Sequence, residues 1–189
     1  MSSLLSTCLI VLIAFTVLLG EASEPAKSGC GQKGICECFD VGTASYEVNC
    51  SRRNLDACPE NIPSNVTKLI LSHNLLQVIS SNIFNSMTSL KYLDISHNFL
   101  KDLSQDSFWG TKDLVKLFLS YNYLGNLPNG LFENTWYLET VNVGHNLLYH
   151  ISSDLLMNLT KLQTLDMSNN FLKDLPYDIF KQNRWLRKV

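Results

Sequence analysis

The sequence has no excess of positive charge, no recognisable catalytic set and, beyond its first segment, no apolar run long enough to span a bilayer. Its 15 Lys and Arg stand against 17 Asp and Glu, for a net charge of −2. That balance provides no basic field to gather nucleic acid or anionic lipid, so neither is expected as an electrostatically collected partner. There is no Gly-rich phosphate loop and no HExxH. No nucleophile stands out with a base and an orienting partner, and no pair of carboxylates stands out for acid/base work. The expectation is a protein that is not an enzyme and needs no cofactor or metal. After Cys58 no second group of cysteines follows.

The first segment, MSSLLSTCLIVLIAFTVLLGEAS, has an uncharged apolar run from Leu4 to Leu19 and then Gly20, Glu21 and Ala22 as a small-x-small site. It reads as a signal peptide, residues 1–22, cut near Ala22. The rival reading is an uncleaved anchor, but the run is shorter than the roughly 20 apolar residues that span a bilayer. Residues 23–29 are expected to be a flexible linker. The mature chain should be extracellular, with a membrane tie only if a spanning helix lies downstream in a longer protein.

What is abundant is leucine at a fixed spacing. Five segments align in rows of 24: VTKLILSHNLL from Val66, LKYLDISHNFL from Leu90, LVKLFLSYNYL from Leu114, LETVNVGHNLL from Leu138 and LQTLDMSNNFL from Leu162. Each fits LxxLxLxxNxL, with Val or Met as apolar exchanges. Such a period marks a leucine-rich-repeat solenoid of the α/β class. Short parallel strands should line its concave face, with irregular or 3-10 segments on the convex side. In LKYLDIS, Leu93 and Ile95 alternate with Tyr92, Asp94 and Ser96, so a strand sends one set inward and the other outward. The return segments supply a second apolar set: Ile79 and Phe84, Leu103 and Phe108, Leu127 and Phe132, Ile151 and Leu156, Leu175 and Phe180. The asparagines Asn74, Asn98, Asn122, Asn146 and Asn170 read as a structural ladder, because a buried amide can satisfy both N–H and C=O groups of a turn.

The exposed edge of a first repeat needs a cover. Cys30, Cys36, Cys38, Cys50 and Cys58 crowd the region before it, and in an exported chain clustered thiols read as disulfides. Tyr46, Val48 and Cys50 alternate with polar residues after a Gly42–Thr43 turn, which suggests a small hairpin on the first repeat. Four cysteines allow three pairings. The stretch CGQKGICECFDVGTASYEVNC followed by LDACPENIPSNVTKLILSHNLL resembles the N-terminal cysteine cap and first repeat of extracellular leucine-rich-repeat proteins, a resemblance that covers residues 30–189. It implies the pairs Cys30–Cys38 and Cys36–Cys50. Residues 30–65 are then the cap, and residues 66–189 hold five repeats and the start of a sixth at LRKV. Cys58 departs from the family pattern, which has an aliphatic residue before the proline; it reads as a buried thiol or, alternatively, as a reactive or intermolecularly bridged one. A chain that stops within a sixth repeat is expected to be a fragment.

Outward strand positions form the candidate site. By repeat they are Lys68, Ile70, Ser72 and His73; Tyr92, Asp94, Ser96 and His97; Lys116, Phe118, Ser120 and Tyr121; Thr140, Asn142, Gly144 and His145; Thr164, Asp166, Ser168 and Asn169. Tyr92, Asp94, His97, Lys116, Phe118, Tyr121, Asn142 and His145 are the expected ligand contacts. Tyr92, Phe118 and Tyr121 are expected together near the centre, since aromatics dominate binding at interfaces. Asp94 and Asp166 should lie about 14 Å apart by strand spacing, too far for an acid/base pair. His73, His97 and His145 share one repeat position; they are either a metal or pH-sensitive column or an ordinary way of writing this turn. Sequons at Asn65 (NVT) and Asn158 (NLT), with Asn49 (NCS) a weaker one, suggest glycans off the concave face.

The partner is expected to be a protein or glycan on the concave face. Three functions compete. The 24-residue repeats with Phe in the return segment, together with the cap, are similar to the start of a Toll-like receptor, which implies recognition of microbial or endogenous ligands in innate immunity. The second is a secreted matrix or ligand-trapping protein. The third is the targeting module of a larger enzyme.

Overall fold

The computed structural model describes residues 27–31, 34–40, 45–80 and 82–189. The expected signal peptide lies outside them. Among the described residues eight strands form one sheet in chain order: β1 Lys27–Cys30, β2 Cys36–Asp40, β3 Tyr46–Asn49, β4 Lys68–Ile70, β5 Tyr92–Asp94, β6 Lys116–Phe118, β7 Thr140–Asn142 and β8 Thr164–Asp166. β1, β2 and β3 are antiparallel. From β3 onward every pair is parallel.

Three residues per repeat suffice for a strand because the chain needs to cross the inner wall only once. In β4 to β8 the middle residue (Leu69, Leu93, Leu117, Val141 or Leu165) is buried and its neighbours face outward, as the alternation of Cβ directions requires. The ladder runs past the strand ends: Leu71 N donates to Asp94 O at 2.7 Å and Ile95 N to Phe118 O at 2.9 Å. The next buried residue, Leu71, Ile95, Leu119 or Val143, continues the core.

On the convex side there is no α-helix among the described residues. Single turns closed by i→i+3 bonds take that place, such as Met87 N to Phe84 O at 3.0 Å and Thr111 N to Phe108 O at 3.1 Å. Phe84, Phe108 and Phe132 are buried, and the first two stack at 6.2 Å. Thr111 and Thr135 are fully buried, and each donates its hydroxyl to the carbonyl of the phenylalanine three residues back. A side chain at Gly110 would meet the Cα of Asn85 at 2.4 Å, so only glycine lets these neighbouring turns approach so closely. The fifth return segment differs from the expectation: Leu175 is 39 % exposed and Phe180 only partly buried.

The asparagines bind each repeat to the one before. Asn122 Nδ2 donates to Leu119 O in its own turn at 3.0 Å and to Ile95 O in the preceding repeat at 3.1 Å. Its Oδ1 accepts from Leu100 N at 3.0 Å. Asn98, Asn146 and Asn170 repeat this pattern. Asn74 makes the same link to the cap, donating to Cys50 O and accepting from Arg53 N and Leu55 N. Turn backbone groups that would otherwise be buried without partners are thus engaged by the asparagines.

The cap is the N-terminal part of the same sheet. The disulfides are Cys30–Cys38 and Cys36–Cys50. β3 extends the parallel ladder directly against β4, so the edge of the first repeat is paired as well as covered. Part of the expected linker is corrected here. Lys27–Cys30 is a strand because its backbone pairs with Cys36–Phe39, which moves the start of the cap ahead of residue 30; residues 23–26 lie outside the described residues. Cys58 is not in a disulfide and packs against the core. Burial pushes its thiol up to about 12.

Candidate binding face

The parallel register sets the outward side chains in rows that run across the repeats. One row is Glu47, Lys68, Tyr92, Lys116, Thr140 and Thr164. Beside it runs Asn49, Ile70, Asp94, Phe118, Asn142 and Asp166. Tyr92 and Phe118 meet diagonally across them, with ring centroids 5.2 Å apart and planes tilted by 38°. Lys68 Nζ lies 5.6 Å from the centre of the Tyr92 ring and pairs with Glu47 at 2.9 Å. Burial, and then the charge of Asp94, raises the Tyr92 hydroxyl above its ordinary value. The phenol therefore stays protonated at neutral pH and is able to donate.

The second row contains a local device that its sequence did not announce. Asp94 Oδ1 accepts from Ser96 N at 2.9 Å and from Ser96 Oγ at 2.6 Å. Asp166 does the same with Ser168, Asn49 with Ser51, and Asn142 takes the backbone N–H of Gly144. These Asx turns start the bend out of the strand. The bond from the Ser168 hydroxyl, foremost, holds the Asp166 carboxyl below its usual range. Ser72, Ser96 and Ser120, expected to be outward, are instead buried, because the bend begins at them.

A further row follows the bend. His73, His97, Tyr121, His145 and Asn169 all have left-handed backbones, with φ between 53° and 58°. The common conformation stacks the rings: His73 on His97 at 4.1 Å, His97 on Tyr121 at 4.2 Å and Tyr121 on His145 at 4.1 Å, all within 11° of parallel. Asn169 Nδ2 ends the stack 3.0 Å from His145 Nε2. Tyr121 therefore does not join Tyr92 and Phe118 as expected, because its positive φ turns it into this column. His97 is held below the ordinary imidazole value by burial and next by His73, while Asp94 pulls the other way. Among the described residues no group of three or more His, Cys, Asp or Glu is placed to share a metal ion.

Next to the column is an exposed apolar stripe that sequence reasoning passed over: Leu75, Phe99, Tyr123, Leu147 and Phe171, each 42–65 % exposed. It follows directly after each ladder asparagine, and five apolar residues at an exposed position of the repeat were a signal that could have revealed it. Phe99 and Tyr123 stack at 5.7 Å. A hollow of about 340 Å³ opens between stripe and column, lined by His97, Asn98, Phe99, Tyr121, Asn122, Tyr123 and His145. A larger one, about 610 Å³, opens along the edge of β8 beside Asp166, Met167, Lys173 and Lys188. Asn65 is exposed just before β4, and Asn158 is half-buried on a convex turn.

This architecture is matched in known proteins. The Leucine rich repeat family profile fits residues 64–124 and 113–172, and the chain belongs to that family. Leucine-rich repeat-containing protein 3C of Homo sapiens is 38 % identical over 99 residues, 52 % of this chain and 35 % of that protein. The insulin-like growth factor-binding protein complex acid labile subunit of Mus musculus is 34 % identical over 99 residues, 48 % of this chain and 16 % of that protein. Leucine-rich repeat-containing protein 3 of Rattus norvegicus is 33 % identical over 75 residues, 40 % of this chain and 29 % of that protein. The matched stretch thus spans little more than a third of these relatives at most. The family, the solenoid and its disulfides define a protein-binding class of domain.

Proposed function

We propose that this chain is an extracellular recognition module that binds a protein through its concave face and carries out no chemistry of its own. The observation that supports this reading most directly is the Tyr92–Phe118 contact on the outward side of β5 and β6. Two partly exposed rings meet there on a rigid sheet, the kind of anchor around which interface energy concentrates. The expected export signal at residues 1–22 and the two disulfides agree with an oxidising compartment. No helix among the described residues is long and apolar enough to cross a membrane.

The finer form of the reading is the N-terminal part of a Toll-like-receptor-like ectodomain in innate immune recognition, and it rests on the resemblance of the cap and first repeat. The alternative, a secreted protein that joins or traps other proteins, is favoured by the likeness to a subunit whose name places it in a binding-protein complex. A glycan ligand is the remaining form. Sequencing the transcript beyond Val189 separates the first two. A spanning helix and cytoplasmic signalling domain would establish the receptor, whereas a second cysteine cap followed by a stop would establish the secreted protein.

The binding reading itself is tested by offering the secreted chain to an array of extracellular protein domains. Phe118→Ala and Tyr92→Ala should each lower binding of the recovered partner by at least about 1 kcal/mol, while Lys181→Ala on the convex side leaves it alone. Partners that ignore both concave substitutions would sink the assignment.

A further inference from the structure

The row through β6, β7 and β8 runs Lys116, Thr140, Thr164, and an isolated parallel bridge adds Lys188 opposite Thr164. It begins and ends on a cation, has two hydroxyls between, and contains no carboxylate. Its two lysines lie about 14 Å apart by strand spacing. Lys116 is exposed, and among the described residues no carboxylate stands within ion-pair distance of it. Lys68, two strands away in the same row, is by contrast already neutralised by Glu47. Asp94, in the neighbouring row, is committed to Ser96. The face thus has an unpaired cation at its middle, next to the Tyr92 and Phe118 rings, with the half-buried Ile70 two strands away.

From this charge pattern we infer that the concave face recognises a protein segment bearing a carboxylate beside an apolar or aromatic side chain. The carboxylate lies against Lys116 and the Thr140 hydroxyl, and the apolar neighbour lies on Tyr92 and Phe118. An exposed ammonium on a fixed strand gains most from a partner charge when apolar contacts alongside exclude water from the pair. A uniformly charged polyanion fits the same surface poorly. It would set charges against Asp94 and Asp166 in the next row and leave the ring contact unused. This inference rests on the concave face being the contact surface, and it adds the chemistry of what is contacted.

The test uses the whole secreted chain and a random linear peptide library displayed on phage. Enriched peptides should share Asp or Glu next to an aromatic or aliphatic residue. A synthetic copy should bind about tenfold more weakly to Lys116→Gln and weaker still to Lys116→Glu, and a peptide with Lys in place of its acid should recover binding to Lys116→Glu. Circular dichroism should show both variants folded, since the Lys116 side chain is exposed. If the peptides lose affinity in Phe118→Ala but are indifferent to Lys116→Glu, the face stands and the acidic partner is overturned. A library that returns no peptide sensitive to Phe118→Ala counts against the face itself. A heparin oligosaccharide that displaces the peptide and itself requires Lys116 would replace the protein partner with a sulfated glycan.

Discussion

The side-chain amide of Asn122 donates to the carbonyl of Ile95, 27 positions earlier in the chain, at 3.1 Å. One side chain thereby closes two repeats on each other from inside. Truncating Asn122 to Ala leaves Leu100 N without its partner in the core, while Ile95 O and Leu119 O keep only the amides of Asn98 and Asn146. The expected loss is about 1–3 kcal/mol, read as a lower urea midpoint. Asn170→Ala should cost less, because Asn170 is only part-buried. Equal losses at the two sites would refute this account.

Gly110 is buried, and an added Cβ has no room against the backbone of Asn85. Gly110→Ala should destabilise by about 1–3 kcal/mol through overpacking. Gly125, where the same atom would meet only the Tyr149 ring at 3.7 Å, should accept alanine with little change in melting temperature.

Cys36 and Cys50 close a loop 14 positions long. Replacing both by Ala is expected to cost about 3 kcal/mol by the chain-entropy estimate. Loss of the cap should also unmask the edge of β4, so the doubly substituted chain should associate more readily. Light scattering after mild heating checks this, and an unchanged monomer would argue against the capping role.

The Cys58 thiol, pushed up to about 12 by burial, has almost no thiolate at neutral pH. Iodoacetamide should leave it unmodified in the folded chain and label it once the chain is unfolded. Rapid labelling of native protein, followed by peptide mapping, would overturn the buried assignment.

His97 is depressed in the folded state, first by burial and then by His73, with Arg52 and His145 adding to the effect and Asp94 opposing it. The unfolded chain therefore takes up its proton at higher pH than the folded one. Stability from this site is full above the unfolded value of about 6.5 and declines as pH falls through that value toward the folded one. Chemical denaturation at pH 7.5 and pH 5.5 should show the decline, and His97→Gln should flatten it. Identical slopes in the two proteins would remove the histidine column from the pH dependence.

The parts of the fold visible in the sequence were those dictated by burial. Leu69 and Leu71 at alternate positions, and Asn98 and Asn122 one period apart, have a single stable placement each, so their spacing reports it. The outward rows through Lys116 and through Phe118 followed from the same alternation. What stayed hidden depended on backbone dihedrals and on pairing at a distance. Nothing in the letters SHN or SYN announces a left-handed φ at His97 and Tyr121, yet that angle takes Tyr121 away from Phe118 and into the ring stack. Lys27–Cys30 has no apolar alternation because it is held by its backbone pairing with Cys36–Phe39. The exposed stripe through Phe99 and Tyr123 was overlooked because an apolar letter beside a core leucine reads as core.

The asparagine ladder also divides labour along each turn of the coil. Stability is carried by the inward leucines and by amides that touch only backbone, so it hardly depends on which side chains face out of β5 and β6. Lys116, Phe118 and Tyr92 can therefore be exchanged with small cost to folding, and a lineage of such chains is free to change its correspondent while keeping its shape. The scaffold works as a typeface, and the outward rows as the text set in it.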